Sequence, residues 1–416
     1  MKRFPSPPAS TIPSGRSKRA MTERYSCVMN SGKDLSVAIL TREWPPAIYG
    51  GAGVHVANLT AALNASGKVR CDVHCFGGKR SDATAYELHE PLTKINPALQ
   101  TLLIDSDMAM NLKGVSLVHS HTWYANFAGY LASKIYSIPH VLTAHSLEPL
   151  RPWKAEQLGG GYVISSWVEK MAYESASAII AVSDGMKKDI LAAYPEVDAG
   201  KVVTIRNGID CEKFKPNEDR NVLSKYGISG PFAIFVGRIT RQKGLAHLLR
   251  AWRAVDPKFG IVIAAGSPDE PVIGAEVEEL IKQLQSERRN VYWIKEMLPH
   301  NELVALLTSA QVFACPSIYE PLGIVNLEAM ACETAVVATA VGGIPEVVAD
   351  GETGILVKPN DKSAIFEDEF ASSLMKVLSD ESLAKQLGKA GRRRTIAEFG
   401  WDKVATSTIN LYRSLI

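Results

Sequence analysis

Residues 315–330 read Cys-Pro-Ser-Ile-Tyr-Glu-Pro-Leu-Gly-Ile-Val-Asn-Leu-Glu-Ala-Met, and the rest of the chain can be organised around them. The apolar run at residues 311–315 suits a buried strand, and residues 324–331 favour a helix with few solvating side chains. The Pro- and Gly-containing residues between them favour a loop. The segment therefore predicts a strand, a loop and a buried helix.

Two carboxylates, Glu320 and Glu328, bracket this loop and the start of the helix. In an open α/β sheet, ligands bind beyond the carboxyl ends of the strands, where the free N–H groups of helix N-termini favour anions. Glu320 is then predicted in the ligand loop and Glu328 about one turn into the helix. Because carboxylates accept hydrogen bonds from hydroxyl groups, the pair indicates a sugar or ribose beside a phosphate. An ordinary loop with one surface acid and one capping acid is the alternative.

The same strand and helix patterns alternate along the whole chain. Strand patterns lie at residues 35–41, 70–76, 116–121, 139–145, 177–183, 201–205, 232–237, 261–266, 291–296 and 335–338. This repetition predicts an α/β fold with doubly wound parallel sheets that are covered on both faces.

The length of 416 residues exceeds what one core usually serves, so two domains are expected. Pro, Asn and Gly signals mark residues 211–230 as a linker between domains at residues 35–210 and 231–399. A last helix is predicted within residues 400–416. Glu346 follows a Gly-Gly-Ile-Pro turn, and we expect it to fix the helix that comes next.

Composition and charge exclude several classes of protein. The formal net charge of +2 argues against a nucleic-acid partner, and no apolar run is long enough to span a membrane. The six cysteines lack metal-ligand or disulfide spacing, which favours a soluble protein of the reducing cytoplasm. Residues 1–34 are rich in Ser, Pro, Lys and Arg, so we expect a disordered basic extension and not a secretory signal.

A glycine loop follows the first strand. Gly50, Gly51 and Gly53 stand before a predicted helix that begins at Val54. Glycines at a helix start let backbone N–H groups approach a phosphate closely. The spacing is not that of the dinucleotide fingerprint, and a structural glycine turn is the alternative.

Two cations stand at a later strand end, where Arg238 and Lys243 precede another helix. Positive charge at a helix N-terminus opposes the helix dipole, so a stabilising role is a poor explanation. An anionic ligand explains these cations better.

Three histidines, His119, His121 and His145, fall at the ends of two predicted strands. Strand-end side chains face the cleft of such sheets, although buried, hydrogen-bonded histidines are common. The polar segment after His145 contains Arg151 and Lys154, residue types that recognise phosphate. These two cations could hold an anionic acceptor on the far side of the cleft from Arg238 and Lys243, or the segment could be a solvated loop.

The motif Glu-Pro-Leu-Gly-x-x-x-x-Glu after Pro-Ser resembles that of retaining nucleotide-sugar glycosyltransferases with the two-domain GT-B fold. The similarity extends from about Leu35 to the C-terminus. It implies two Rossmann-like domains facing one cleft, with the last helix crossing back onto the first domain. A lysine frequent in the glycine loop of the best-known bacterial glycogen synthases is missing here.

Resemblance and residue chemistry together give a set of candidate site residues. The catalytic candidates are His145, Arg238, Lys243 and Glu320; the donor-binding candidates are Gly51, Gly53, Arg238, Lys243, Glu296, Leu322, Gly323, Ile324 and Glu328; and the acceptor-binding candidates are Glu43, His121, Arg151 and Lys154. No metal ligand and no cofactor are expected, because we recognise no Asp-x-Asp motif of the kind that holds a catalytic metal in the other major transferase fold.

Within the family, Thr-Ala-His145-Ser-Leu-Glu-Pro-Leu-Arg-Pro-Trp-Lys154 is most similar to actinobacterial glycogen synthases. This resemblance implies ADP-glucose as donor and either an α-1,4-glucan or glucose 1-phosphate as acceptor, the latter giving maltose 1-phosphate. A GDP-mannose-dependent mannosyltransferase, a nucleotide-sugar epimerase of the same fold and a non-catalytic glucan-binding protein are the alternatives. Assembly as a homodimer is left open.

Overall fold

The first sheet of the protein contains seven parallel strands. The computed structural model describes residues 35–155 and 159–416, so the predicted extension at residues 1–34 lies outside the described residues. The strands are β1 (Leu35–Thr41), β2 (Val69–Phe76), β3 (Thr84–Tyr86), β4 (Leu117–His121), β5 (His140–Ala144), β6 (Ala178–Ala181) and β7 (Val202–Thr204). Their order across the sheet is β3-β2-β1-β4-β5-β6-β7.

The second sheet contains six strands, and every neighbouring pair is again parallel. The strands are β8 (Phe232–Val236), β9 (Gly260–Ala264), β10 (Val291–Ile294), β11 (Val312–Cys315), β12 (Ala335–Thr339) and β13 (Gly354–Val357). Their order is β10-β9-β8-β11-β12-β13.

Helices lie between the strands along the sequence. In chain order they are α1 (Gly51–Ala65), α2 (Pro97–Met110), α3 (Trp123–Tyr136), α4 (Gly160–Ser175), α5 (Asp184–Ala193), α6 (Asn221–Lys225), α7 (Leu245–Ala251), α8 (Pro271–Glu287), α9 (His300–Ser309), α10 (Ile324–Ala331), α11 (Ile344–Val347), α12 (Ser363–Leu378), α13 (Glu381–Glu398) and α14 (Trp401–Ser414). No described helix combines the length and the apolar character that crossing a bilayer requires.

The central strands are buried along their full length, as in β4, β5, β9 and β12. Helices cover both faces of such strands, which is why β9 and β12 consist almost entirely of apolar residues. Strands β4 and β5 also bury polar side chains, among them His119, His121 and Thr143. The predicted α/β fold with two parallel-sheet domains is confirmed. Residues 211–230, the predicted linker, include α6 and bury Val222 and Ile228.

Helix α14 returns to the first domain, as the predicted fold requires. Its residues Val404, Ile409 and Tyr412 share a hydrophobic core with β1 and α1. The Tyr412 hydroxyl forms a 2.6 Å hydrogen bond with Nδ1 of buried His119. His119 therefore anchors the last helix and does not face the cleft.

Contacts at the N-terminus of α5 join the two domains. Ser183 Oγ donates to the Pro321 carbonyl oxygen at 2.6 Å. The backbone N–H groups of Asp184 and Gly185 donate to the Glu346 carboxylate at 3.0 and 2.9 Å. Glu346 thus binds a helix N-terminus of the first domain, and our expectation of a purely local role for it was wrong because the partner is distant in sequence.

Candidate active site

Both sheets reverse their strand order beside their first strand. In the first sheet β1 lies between β2 and β4, and in the second β8 lies between β9 and β11. Ligands of such sheets bind at this reversal, beyond the carboxyl ends of the strands. A Cβ built on Gly51, after β1, would lie 3.6 Å from Cδ1 of Ile324, which follows β11. The two crevices therefore face each other across one cleft.

The glycine loop ends in a helix whose first turn has no side-chain cap. Helix α1 begins at Gly51, three residues earlier than predicted, and Gly50 caps it without a side-chain hydrogen bond. The N–H groups of the first turn are left to the cleft, as an anion site requires. This arrangement supports donor binding near Gly51.

Glu43 and Gly53 shape this loop from within. Oε2 of Glu43 accepts hydrogen bonds from the backbone N–H groups of Tyr49 and Gly50, both at 2.9 Å. A Cβ on Gly53 would lie 2.6 Å from the same oxygen, so glycine is needed there to make room for Glu43. We therefore revise both assignments: Glu43 folds the loop through one carboxylate oxygen, so its binding of an acceptor stays a prediction, and Gly53 accommodates Glu43.

Lys243 and Glu320 meet as a buried ion pair. Nζ of Lys243 lies 2.7 Å from Oε2 of Glu320, and Ser317 Oγ donates to the same oxygen at 3.2 Å. Gly244 adopts φ +65°, and a Cβ there would collide with the Pro316 carbonyl oxygen, so glycine lets the two loops touch. Burial disfavours the charged form of Lys243, but the Glu320 carboxylate outweighs it and raises the pKa of the lysine. Lys243 is positively charged at neutral pH.

Arg238 lies at the cleft surface, at the carboxyl end of β8. One guanidinium nitrogen, NH1, donates to Oδ2 of Asp269 at 2.6 Å. The same nitrogen lies 3.3 Å from the hydroxyl oxygen of Tyr49, which belongs to the glycine loop of the first domain. Arg238 thus stands where both domains can reach one anionic ligand.

Glu328 lies in α10, behind the Lys243–Glu320 pair. Burial raises the pKa of Glu328 to about 7, and the charge of Lys243 opposes this shift. Gly323 is the N-cap of α10 and has φ +97°. Leu322, just before it, is buried. Ile324 is the first residue of α10 and lies close to Gly51. Glu296 is exposed in the loop that follows the edge strand β10, and its role in donor binding stays a prediction.

His145 and His121 lie side by side at the ends of β5 and β4. Nδ1 of His121 and Nε2 of His145 are 3.1 Å apart, at hydrogen-bonding distance. His121 is 0% exposed, so it cannot reach an acceptor, and we reassign it as a residue that orients His145. Burial lowers the pKa of both histidines well below the ordinary value, which keeps the imidazoles neutral at pH 7.

Arg151 and Lys154 occupy different environments. Arg151 forms an ion pair with Glu148, whose side chain is 0% exposed. Lys154 forms no ion pair within the described part of the chain. Burial, and after it the positive charge of Arg151, lowers the pKa of Lys154. Its further electrostatic neighbours are Glu148, Arg238 and Asp269, so it lies nearer Arg238 than predicted. Of the two, Lys154 is the cation available to a ligand.

Comparison with known proteins agrees with this geometry. The family described as Glycosyltransferase Family 4 matches residues 49–213, and that described as Glycosyl transferases group 1 matches residues 219–394. The chain is 51% identical over 388 residues to the Alpha-maltose-1-phosphate synthase of Mycolicibacterium smegmatis, covering 92% of this chain and 100% of that protein. The chain belongs to the GT-B glycosyltransferases. The predicted family membership is therefore confirmed.

Other proteins resemble this glycosyltransferase more distantly. The Glycogen synthase of Mycobacterium tuberculosis is 27% identical over 414 residues, with 91% of this chain and 94% of that protein covered. The solved structure of sucrose-phosphate synthase from Thermosynechococcus elongatus has a TM-score of 0.73 and 26% identity, covering 92% and 99% of the two chains. Anabaena Alr3699/HepE in complex with UDP and glucose, at 19% identity, a TM-score of 0.75 and 92% and 100% coverage, supports the fold alone.

One histidine cluster in the glycosyltransferase could hold a metal ion. Among residues 35–155 and 159–416, the ligand atoms of His55, His121 and His145 all lie within 4.8 Å of one another. Both ring nitrogens of His55 and Nε2 of His121 are buried without a hydrogen-bond partner. Neutral imidazole nitrogens of this kind suit zinc or a similar ion. The expectation of a metal-free enzyme therefore stays a prediction.

We expect glycosyl transfer to survive excess EDTA, because Arg238, Lys243 and the N-termini of α1 and α10 can offset the charge of a leaving diphosphate without magnesium. The measurement is the initial rate of nucleotide release with and without chelator. Loss of activity that magnesium restores would place a metal at the diphosphate, whereas loss that only zinc restores would place it at the histidine cluster. Either result would contradict the prediction.

Several residues beside the site were not identified from the sequence. Tyr49 and Asp269 meet across the cleft although 220 residues separate them. A cavity of about 370 Å³ next to the glycine loop is lined in part by Arg42, Trp123 and Tyr124, and Arg42 stacks on the Tyr124 ring at 4.1 Å. Arg42 follows β1 directly, and Tyr124 lies in the first turn of α3, three residues after β4 ends. These positions could have suggested both residues, since β1 and β4 flank the reversal of the first sheet.

Proposed function

We propose that this glycosyltransferase moves glucose from ADP-glucose to glucose 1-phosphate with retention of the anomeric configuration, giving maltose 1-phosphate and ADP. The sequence similarity to the mycobacterial Alpha-maltose-1-phosphate synthases supports the reaction class. The similarity of the segment from His145 to Lys154 to actinobacterial glycogen synthases supports ADP-glucose as donor. A metal ion has no role in this proposal.

The charges of the site fit the bond that breaks. Cleavage between the anomeric carbon and the diphosphate oxygen leaves negative charge on the diphosphate and positive charge on the sugar. Arg238, Lys243 and the first turn of α10 after Gly323 would stabilise the diphosphate. The acceptor oxygen would bond to the anomeric carbon on the face that the diphosphate leaves, and its proton would pass to the departing phosphate oxygen.

The remaining polar groups would orient the sugar and the ribose. Glu320 is held by Lys243 and Ser317, so its free carboxylate oxygen is available to accept from sugar hydroxyls. Glu328 would accept from the ribose hydroxyls. His145, kept neutral by burial, would donate one hydrogen bond to the sugar while His121 fixes its ring.

The observation that favours a phosphorylated acceptor is Lys154. It is partly buried beside the cleft, and no carboxylate in the described part of the chain forms an ion pair with it, although the charges of Glu148 and Asp269 act on it from a longer distance. A lysine that loses hydration without gaining a partner is costly unless an anion binds it. The phosphate of glucose 1-phosphate would supply that anion, whereas a neutral glucan would not.

The decisive experiment offers the purified protein ADP-, UDP- and GDP-glucose and GDP-mannose, each with glucose 1-phosphate or glycogen, and measures the nucleotide released. The anomeric configuration of the product is read by NMR. We expect the fastest release with ADP-glucose and glucose 1-phosphate, and an α-linked disaccharide phosphate as product. Faster elongation of glycogen would identify the α-1,4-glucan as acceptor instead, and donor consumption that yields an epimer would overturn the transferase proposal.

For Lys154→Ala we expect the KM for glucose 1-phosphate to rise about tenfold or more, because a charge-assisted bond contributes roughly 1.5–3 kcal/mol. Hydrolysis of the donor in water should change little, since the donor is held by other residues. The matched control is Lys113→Ala. Lys113 is exposed and precedes β4, so it lies at the amino ends of the strands, away from the cleft. A Lys154→Ala enzyme that uses glucose 1-phosphate as well as the parent would refute the anionic acceptor site.

A further inference from the structure

Tyr49 links the glycine loop of the first domain to the second domain. Its hydroxyl donates to Oδ1 of Asp269 at 2.6 Å, and its ring faces the Arg238 guanidinium at 5.0 Å. The loop presents Tyr49 in this position because Glu43 binds the backbone N–H groups of Tyr49 and Gly50. Tyr49 is nevertheless 65% exposed, and within residues 35–155 and 159–416 its hydroxyl is held by Asp269 and Arg238.

Asp269 forms an ion pair with Arg238, the cation that we assign to the donor diphosphate. Its Oδ2 accepts from Arg238 NH1 at 2.6 Å while its Oδ1 accepts from Tyr49, so both carboxylate oxygens are in use. The backbone N–H of Asp269 donates to the Ile239 carbonyl oxygen at 3.1 Å, which fixes Asp269 beside the loop that carries Arg238. A bound diphosphate would have to share or replace this carboxylate.

Lys243 is likewise paired with a carboxylate, but that carboxylate keeps one oxygen for a ligand. Lys243 is paired with Glu320, whose second oxygen can still bind the sugar, so that pair can remain when the donor enters. In Asp269 both oxygens already accept a hydrogen bond, so neither is left wholly to a ligand. A carboxylate this close to a nucleotide diphosphate repels it, which weakens binding.

We propose that Asp269 is an internal competitor for the nucleotide diphosphate: it holds Arg238 in the empty site, and together with Tyr49 it sets how tightly nucleoside diphosphates bind. The inference rests on the proposed function, since it takes the ligand of Arg238 to be the donor diphosphate. When the diphosphate leaves, Asp269 recaptures Arg238 and Tyr49 rejoins the pair, which favours product release. Asp269 is thus a positioning residue that tunes affinity.

The direct test is titration calorimetry of ADP, UDP and GDP against the parent, Asp269→Asn and Tyr49→Phe. Asparagine keeps the shape and can still accept from Arg238, but it removes the repelling charge. We expect Asp269→Asn to lower the Kd for the preferred nucleotide about three- to tenfold, and Tyr49→Phe to lower it about two- to threefold. The gain should shrink as salt is raised, because the repulsion is screened.

Steady-state kinetics supply a second readout, which a merely structural role would not move in this direction. We expect Asp269→Asn to lower both the donor KM and kcat, because a more tightly held product leaves more slowly. The control is Asp256→Asn, an exposed acid paired with Lys258 before β9. If the parent binds nucleotide and Asp269→Asn binds it equally or more weakly, the inference fails alone. If the parent binds none of the three nucleotides, the proposed function fails and the inference falls with it.

Discussion

Lys243→Ala should reduce kcat by about two orders of magnitude or more, comparable to the loss of one oxyanion-hole donor. Lys243 is the more buried of the two donor cations, and Glu320 keeps it charged and fixed beside α10. Since its main target is the charge that develops on the leaving diphosphate, its removal should lower kcat more than it raises the donor KM. Initial-rate kinetics at varied donor concentration measure both quantities.

Folding must be separated from catalysis in this test, because Lys243→Ala also leaves the buried Glu320 without its partner. The double variant Lys243→Ala/Glu320→Gln removes that uncompensated charge, and its unfolding transition and kinetics should be compared with those of the single variant. The matched control is Lys258→Ala, an exposed lysine at the amino end of β9, which should retain the parent's rate. A well-folded Lys243→Ala enzyme with the parent's turnover would exclude Lys243 from the diphosphate site.

The strand positions and the contact between Lys243 and Glu320 show how much of the structure the local sequence pattern predicts. Parallel strands covered on both faces are apolar runs bounded by turns, and this pattern predicts β1, β8 and β11 to within a residue or two. Because the strands are parallel, residues after β8 and β11 must lie at one edge of the sheet. The sequence alone therefore predicts that the Arg238 loop and the Glu320 loop lie at the same edge, and the structure adds that β8 and β11 are neighbours.

What the sequence could not predict is which polar groups already have partners. Glu43 is used by its own loop, and His121 lies beneath His145. Glu346 and Tyr49 bind partners in the other domain, 162 and 220 residues away. Each of these contacts depends on the relative position of two elements that no local pattern specifies. Residue type indicates that a side chain can bind a ligand, but only the fold shows whether it is free to do so.

Arg151 illustrates the same limit, because the residue predicted to bind an acceptor lies in a buried network. It pairs with Glu148, which also accepts from Ser165 Oγ at 2.8 Å. The neighbouring Glu169 accepts from the Glu148 backbone N–H at 2.8 Å, and burial, followed by the Glu148 charge, raises the pKa of Glu169 to about 8. Burial therefore disfavours the charged form of Glu169, and Arg151 is the ion-pair partner of the buried Glu148 side chain.

Arg151→Ala should accordingly lower the free energy of unfolding by about 3–5 kcal/mol, because it leaves the Glu148 carboxylate buried and unpaired. Chemical denaturation measures the loss. Adding Glu148→Gln should recover much of it, since the uncompensated charge is then gone. Lys170→Ala serves as the control: it breaks an exposed ion pair with Glu174 on α4 and should cost no more than about 0.5 kcal/mol. If Arg151→Ala instead unfolds like the parent and only weakens glucose 1-phosphate binding, Arg151 is a ligand for the acceptor and the network does not depend on it.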